Sequence, residues 1–146
     1  MQKIMSSKGL GSITALLICS ISFLPAFAIT ETQVSVDKPR LVTAFGALIG
    51  NDVTVNQQFQ ISADITNHQK KSQNFHYLVQ IKDENNFVVS LGWISGQLTP
   101  TQKFSPSLSW TPEESGEFTA EIFVWEGFPV NAKALSKYIT LPISVG

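Results

Sequence analysis

The residues able to do chemistry are few and widely separated. His68 and His76 are the two histidines of the chain, and a short loop between strands could bring them together around zinc or copper. A blue-copper centre needs a cysteine beside two histidines, usually with an axial methionine. The single cysteine, Cys19, and both methionines, Met1 and Met5, all lie in the N-terminal segment. Glu113-Glu114 offers two carboxylates, but glycoside hydrolysis sets its pair across a substrate at about 5–10 Å, and neighbours on a turn diverge. Asp83-Glu84-Asn85-Asn86 lacks the spaced oxygen ligands and closing glutamate of an EF-hand loop. No G-x-S-x-G, glycine-rich phosphate loop or H-E-x-x-H is present. The expectation is therefore no enzyme activity, no metal site and no cofactor. His68 is expected in an exposed loop, His76 on an outward strand position, and Glu113-Glu114 solvating a turn.

Before these residues comes a segment with its own logic. Lys3 and Lys8 give a positive start, and Ile13 to Leu24 forms an apolar run of signal-peptide length. Pro25 breaks it, and Ala26-Phe27-Ala28 places small residues where a signal peptidase reads. This predicts cleavage after Ala28 and a secreted or envelope-bound product starting at Ile29. Cys19 follows Leu17-Ile18 rather than a small residue, which argues against lipidation. The alternative rests on Lys8-Gly9-Leu10, which is similar to the processing site of archaeal type IV pilins and archaellins. There the apolar helix is kept and polymerises, and the new N-terminus would be Leu10. Contact with a membrane is expected only through this segment, if it stays uncleaved.

Cleavage after Ala28 leaves no cysteine, and so no disulfide and no thiolate chemistry. Eight basic residues then face eleven acidic ones. Apart from Lys70-Lys71 the basic residues are scattered, so no nucleic-acid footprint exists. Charged residues make up 14% of the chain, below the usual quarter, and Ser, Thr, Asn and Gln carry solubility instead.

The positioning elements read as strands, because apolar residues recur with a period of two. Gln58–Thr66 places Phe59, Ile61, Ala63 and Ile65 on one face, and Asn74–Lys82 places Phe75, Tyr77, Val79 and Ile81 likewise. Asp83–Asn86 forms a turn between them and a strand from Phe87 to about Ile94, whose facing is ambiguous and whose end is marked by Gly92 and Gly96 as a bulge or crossing. Lys103–Thr111, with Phe104, Pro106, Leu108 and Trp110 inward, reads as an edge strand because proline cannot donate to a ladder. Glu117–Glu126 and Lys137–Val145 complete the set. Leu41–Ile49 and Val53–Val55 supply the opening strand, split around Gly50-Asn51-Asp52. The fold class is all-β: an Ig-like β-sandwich of about seven antiparallel strands after an N-terminal signal helix. Residues 1–28 are the signal peptide, 29–40 an N-terminal extension and 41–146 the sandwich.

Three stretches carry a family likeness. Val53-Thr54-Val55-Asn56, Phe59-Gln60-Ile61 with Asp64-Ile65-Thr66-Asn67, and Ser109 to Thr119 with its W-x-P…G-x-F pattern resemble prokaryotic extracellular Ig-like domains of the adhesion-associated CARDB type. Similar segments occur in surface and secreted proteins of ammonia-oxidising archaea. The resemblance spans roughly Val53 to Val145 and implies a fold more than an activity. Phe118 stands where that family often has tyrosine, so the tyrosine-corner hydrogen bond is not available here.

One violation of pattern points to function. Outward positions of Glu117–Glu126 end in Phe123 and Trp125, and neighbouring strands contribute Leu78 and Tyr138 outward. The expected interaction surface is therefore Leu78, Phe123, Trp125 and Tyr138, unless Gly127–Leu135 or Ile29–Pro39 folds over it. Exposed aromatic patches mark interfaces, so the expected role is contact with a protein partner at the cell surface or envelope. The alternatives are a filament subunit retaining its N-terminal helix, and a soluble carbohydrate-binding module using Trp93, Trp125 or Phe128 as stacking platforms.

Overall fold

The computed structural model describes residues 32–146, apart from residues 129, 131 and 132. The signal peptide assigned to residues 1–28 and its cleavage site lie outside the described residues. The described chain is all β, in two sheets. The first sheet holds β1 (Val34–Val42), β2 (Leu48–Ile49), β4 (Phe59–Asn67), β7 (Lys103–Phe104) and β8 (Ser107–Trp110). The second holds β3 (Asp52–Val53), β5 (Gln73–Asp83), β6 (Val88–Leu98), β9 (Gly116–Trp125) and β10 (Ile139–Val145). Strand order is β2-β1-β4 in the first, with β7 and β8 both pairing along β4, and β3-β10-β9-β5-β6 in the second. Pairing is antiparallel throughout except for β3 against β10.

Alternation places the core where a period of two requires it. Phe59, Ile61, Ala63 and Ile65 of β4 face Phe75, Tyr77, Val79 and Ile81 of β5, and all are buried with Ala120, Ile122, Val124, Leu141 and Ile143. Each large apolar side chain sequestered in this way contributes about 1.5–3 kcal/mol. Tyr77 is the one core residue of this set with a polar tip. Its hydroxyl donates to the carbonyl of Ile61 across the sandwich at 3.3 Å, and burial pushes its ionisation well above the ordinary phenol range. At one end of the core, Trp110 meets Phe59 edge-on at 5.6 Å and Phe118 at 5.2 Å. The aromatic ends of the W-x-P…G-x-F segment thus close the sandwich by touching each other.

The opening of the chain departs from expectation. The residues assigned to an extension enter β1 from Val34 onward. Pro39 does not end this strand, because the register against β4 shifts between Asp37 and Arg40 and Lys38 takes a positive φ of 52°. A bulge of that kind absorbs a proline without losing the ladder on either side. Leu41–Ile49 is not one strand either. Gly46, at φ 81°, lets the chain turn back, with Gly46 N–H donating to Thr43 and Thr43 N–H to Ala47. The short β2 then pairs with the end of β1, and β3 crosses to the second sheet.

The Asp83–Asn86 turn forms as expected. The Asp83 carboxylate accepts from the backbone N–H of Asn85 and of Phe87, both at 2.9 Å, and Asn86 sits at φ 64°. The facing of β6 is now assigned: Ser90, Gly92 and Ile94 turn toward the core, while Leu91 and Trp93 turn outward. The bulge lies at the start of this strand, where Ile81 pairs with Ser90 and Lys82 with Val88, and not near its glycines. Gly96 serves packing instead. A Cβ there would stand 3.1 Å from the Phe75 ring.

Candidate functional site

The expected interaction surface lies on the outer face of the second sheet, and register explains how it assembles. Leu78 in β5 stands opposite Trp93 of β6 and Phe123 of β9. Tyr138 precedes the first residue of β10 and stacks on Phe123 at 5.2 Å, 26° between ring planes. A row of Trp93, Leu78, Phe123 and Tyr138 therefore crosses the sheet. The adjacent row is Ser95, His76 and Trp125, with Trp125 5.6 Å from Phe123.

The segment after β9 folds back as a hairpin. Glu126 N–H donates to Lys133, Leu135 N–H donates to Val124, and Trp125 bridges Ala134. This return carries Phe128 over the sheet, 5.1 Å from Trp93 and 5.9 Å from Trp125. Because those tryptophans flank β5, Phe128 spans that strand, and Leu78 beneath is only 3% exposed. Leu78 is thus the floor of the patch and not a contact residue. Phe123 and Trp125 are partly buried, whereas Tyr138 is 55% and Trp93 51% exposed. Phe128 therefore covers the centre of the face and leaves its two ends open.

On the β10 side this leaves an open groove of about 660 Å³, lined by Phe123, Trp125, Ala134, Ser136, Lys137 and Tyr138. Among the described residues, two buried polar atoms have no hydrogen-bond partner, Nδ1 of His76 and Oγ of Ser136. The first stands beside Trp125 in register and the second lines the groove. Unsatisfied buried polar atoms are uncommon in folded chains, so their placement at this face sets it apart.

The two histidines are not brought together as a pair. His68 follows β4 at the end of the first sheet, exposed, with Nε2 2.8 Å from Ser35 Oγ, while His76 faces outward from the second sheet. Glu113 and Glu114 sit on the Pro112–Gly116 turn, exposed beside Trp110 and Phe118.

A polar centre on the outer face of the first sheet has no counterpart in the pattern analysis. Asp64 occupies an outward position of β4 yet is 5% exposed. Its carboxylate accepts from Ser105 Oγ at 2.7 Å and pairs with Arg40 at 2.9 Å and Lys103 at 3.0 Å. The Ser105 hydrogen bond, with those of Lys103 and Arg40, outweighs burial and holds the carboxyl well below the usual carboxylate range. Beside it, Ser62 is buried and donates to the carbonyl of Pro106. Asn67, fully buried at the end of β4, donates from Nδ2 to the carbonyls of Lys71 and Thr99 and accepts from the N–H of Gln69. One side of the sandwich is therefore a polar, ion-paired wall, and the other is aromatic.

With this geometry in hand, comparison with known proteins separates fold from activity. No family model and no curated protein sequence matches the chain. Solved structures do. The C-terminal domain of Wzt superposes with a TM-score of 0.66 at 11% identity, over 78% of this chain and 74% of that one. The CARDB domain of a Pyrococcus furiosus protein, solved with di-metal ions, gives 0.51 at 19% identity, over 77% and 87%. A Paenibacillus cycloisomaltooligosaccharide glucanotransferase gives 0.60 at 16% identity, over 77% of this chain but only 14% of the enzyme. The likeness is one of fold. The chain has an Ig-like, CARDB-like β-sandwich architecture, as the Val53–Val145 resemblance implied, and identities this low transfer no activity.

Proposed function

We propose that this chain is a non-catalytic Ig-like module of archaeal type, exported by cleavage after Ala28, that binds a protein partner at the cell surface or in the envelope. The binding element is the groove of Phe123, Trp125 and Tyr138. The single observation carrying this reading is the composition of that groove. Tyr138 stacks on Phe123 at 5.2 Å and Trp125 tilts against Phe123 at 5.6 Å, while Ser136 and Lys137 are the non-aromatic polar residues among the described lining. Such a surface fits an apolar anchor from another protein, with the Lys137 ammonium at the rim favouring a partner that carries acidic residues beside the anchor.

The test is direct binding. A partner captured from the native envelope by the wild type is purified and titrated against the wild type and Trp125→Ala and Tyr138→Ala variants. At least a tenfold loss of affinity in each is expected; equal affinity would sink the assignment. N-terminal sequencing checks export: Ile29 supports it, and Leu10 supports a filament subunit instead.

A carbohydrate reading draws on a different observation, the half-exposed Trp93 ring beside Phe128 and the unpartnered Ser136 Oγ. A sugar site needs convergent polar groups next to its aromatic platform, and this groove supplies few. Glycan-array binding abolished by Trp93→Ala would favour it over protein contact.

A further inference from the structure

A β-sandwich must protect the outer edges of its sheets, because each presents a row of free N–H and C=O groups. Three of the four edges here are blunted. In the first sheet, β2 is two residues long and the rest of that edge is β1, interrupted by the bulge at Lys38-Pro39 between Asp37 and Arg40, while the opposite edge is split into β7 and β8 around Ser105-Pro106. In the second sheet, β3 is two residues long and the rest of that edge contains Pro142 in β10. The fourth edge is β6. It runs unbroken from Val88 to Leu98, with no proline and no charged side chain, and among the described residues no strand pairs with its outer side. Val88, Val89, Leu91 and Trp93 on this strand are each about half exposed.

The seam of the sandwich is also open along this edge. A cavity of about 110 Å³ lies between β6 and β8, reaching from Ser90 and Gly92 past Leu108 to the buried Ile61 and Val79. A strand added to β6 would complete its ladder and lay apolar side chains over this opening at once.

We propose that the added strand is β6 of a second copy of this chain, paired antiparallel about a two-fold axis at Gly92. The two five-stranded sheets then join into one continuous sheet. In antiparallel pairing, residues directly opposite share a face, so an axis normal to the sheet must pass midway between a residue and its own copy, here Gly92. An axis at Gly92 sets Leu91 opposite Trp93 of the second copy, twice, on the outer side. On the seam side it sets Ser90 opposite Ile94 of the second copy. A second copy is self-complementary here: the pairing sets half-exposed Leu91 and Trp93 against each other and brings no charged side chain into the ladder. An isologous contact also satisfies both open edges with one interface. The surface is modest, so association in the micromolar range is expected.

Sedimentation velocity tests this on the full chain, with residues 29–146 in parallel, from about 1 to 200 μM. A shift from monomer to dimer is expected in both. The doubly substituted variants L91K/W93K and L91E/W93E alter half-exposed positions, give up the Trp93–Phe128 contact, and are expected to keep the β-sheet circular dichroism of the wild type. Each is expected to stay monomeric, because like charges then meet across the axis, while an equimolar mixture recovers a heterodimer. Tyr138→Ala, at the far end of the groove from β6, leaves dimerisation unchanged, so failure of the groove assignment and failure of this one are distinguishable. A wild type that is monomeric at the highest concentration, or folded charged variants that dimerise alone, overturns the proposal. Folded variants that do not pair in the mixture overturn the Gly92 axis.

Discussion

Replacing Asp64 by asparagine isolates the charge of one buried carboxylate. The amide oxygen can still accept from Ser105, so the loss falls on the pairs with Arg40 and Lys103. A charge-assisted hydrogen bond to a buried group is worth about 1.5–3 kcal/mol. Both cations are partly in water, 28% and 53% exposed at their side chains, and turn outward once the carboxylate is gone, which discounts each pair. The net cost comes to about 2–3 kcal/mol at pH 7, out of a total near 5–15 kcal/mol for a domain. At roughly 4 °C per kcal/mol for a chain of this length, the melting point should fall by roughly 8–12 °C. The pH dependence makes the test specific. The folded state holds the Asp64 carboxyl below its unfolded value of about 4. Its stabilisation is therefore complete above that value and is lost as pH falls through it toward the folded one. Urea titrations followed by tryptophan fluorescence should show the gap between wild type and Asp64→Asn at full size at pH 7 and shrinking steadily from pH 4 to pH 2. A gap that stays constant across that range, or one under about 0.5 kcal/mol at neutral pH, refutes the ion-paired role.

Tyr77→Phe removes the hydroxyl that joins the two sheets through the Ile61 carbonyl while leaving the ring; a loss of about 1 kcal/mol in chemical denaturation is expected, and no change would mean the contact carries no net stability. Asn67→Ala releases the carbonyls of Lys71 and Thr99 and the N–H of Gln69 together. It should cost about 2–4 kcal/mol and speed amide hydrogen exchange at residues 68–72 and 99–102 while β9 and β10 stay protected. Gly96→Ala forces a methyl within 3.1 Å of the Phe75 ring and should destabilise by about 1–3 kcal/mol. Adding Phe75→Leu should recover part of that loss in a double-mutant cycle, and strict additivity would show that the two residues do not compete for space.

The legible parts of this fold are those where a local rule acts alone. Phe59 to Ile65 and Phe75 to Ile81 alternate cleanly because every second side chain of each strand packs into the apolar core between the sheets. The turn at Asp83 needs only its own side chain. Phe123 and Trp125 stood out because they broke such a rule, and the structure places both on the outer face. What escaped depends on residues distant in the chain. Asp64 sits at an outward position, and nothing nearby foretells that Lys103 and Ser105 will close over it. Alternation alone puts Leu78 on the open surface, yet Phe128, arriving after β9, packs between Trp93 and Trp125, and Leu78 is buried. In β1, Asp37-Lys38-Pro39-Arg40 lacks any strand pattern, and only pairing with β4 makes the bulge tolerable.

The place of β10 has a consequence for the order of folding. It is the last strand of the chain, yet it lies inside the second sheet, between β9 and β3, and its end holds the start of the domain: Val55 N–H donates to Gly146, and Gly146 N–H to Val53. A chain growing from its N-terminus cannot seat β3 or close the core around Leu141 and Ile143 until those final residues exist. The second sheet therefore closes only after β10 has been made, although β3, near the start of the sandwich, is made long before it.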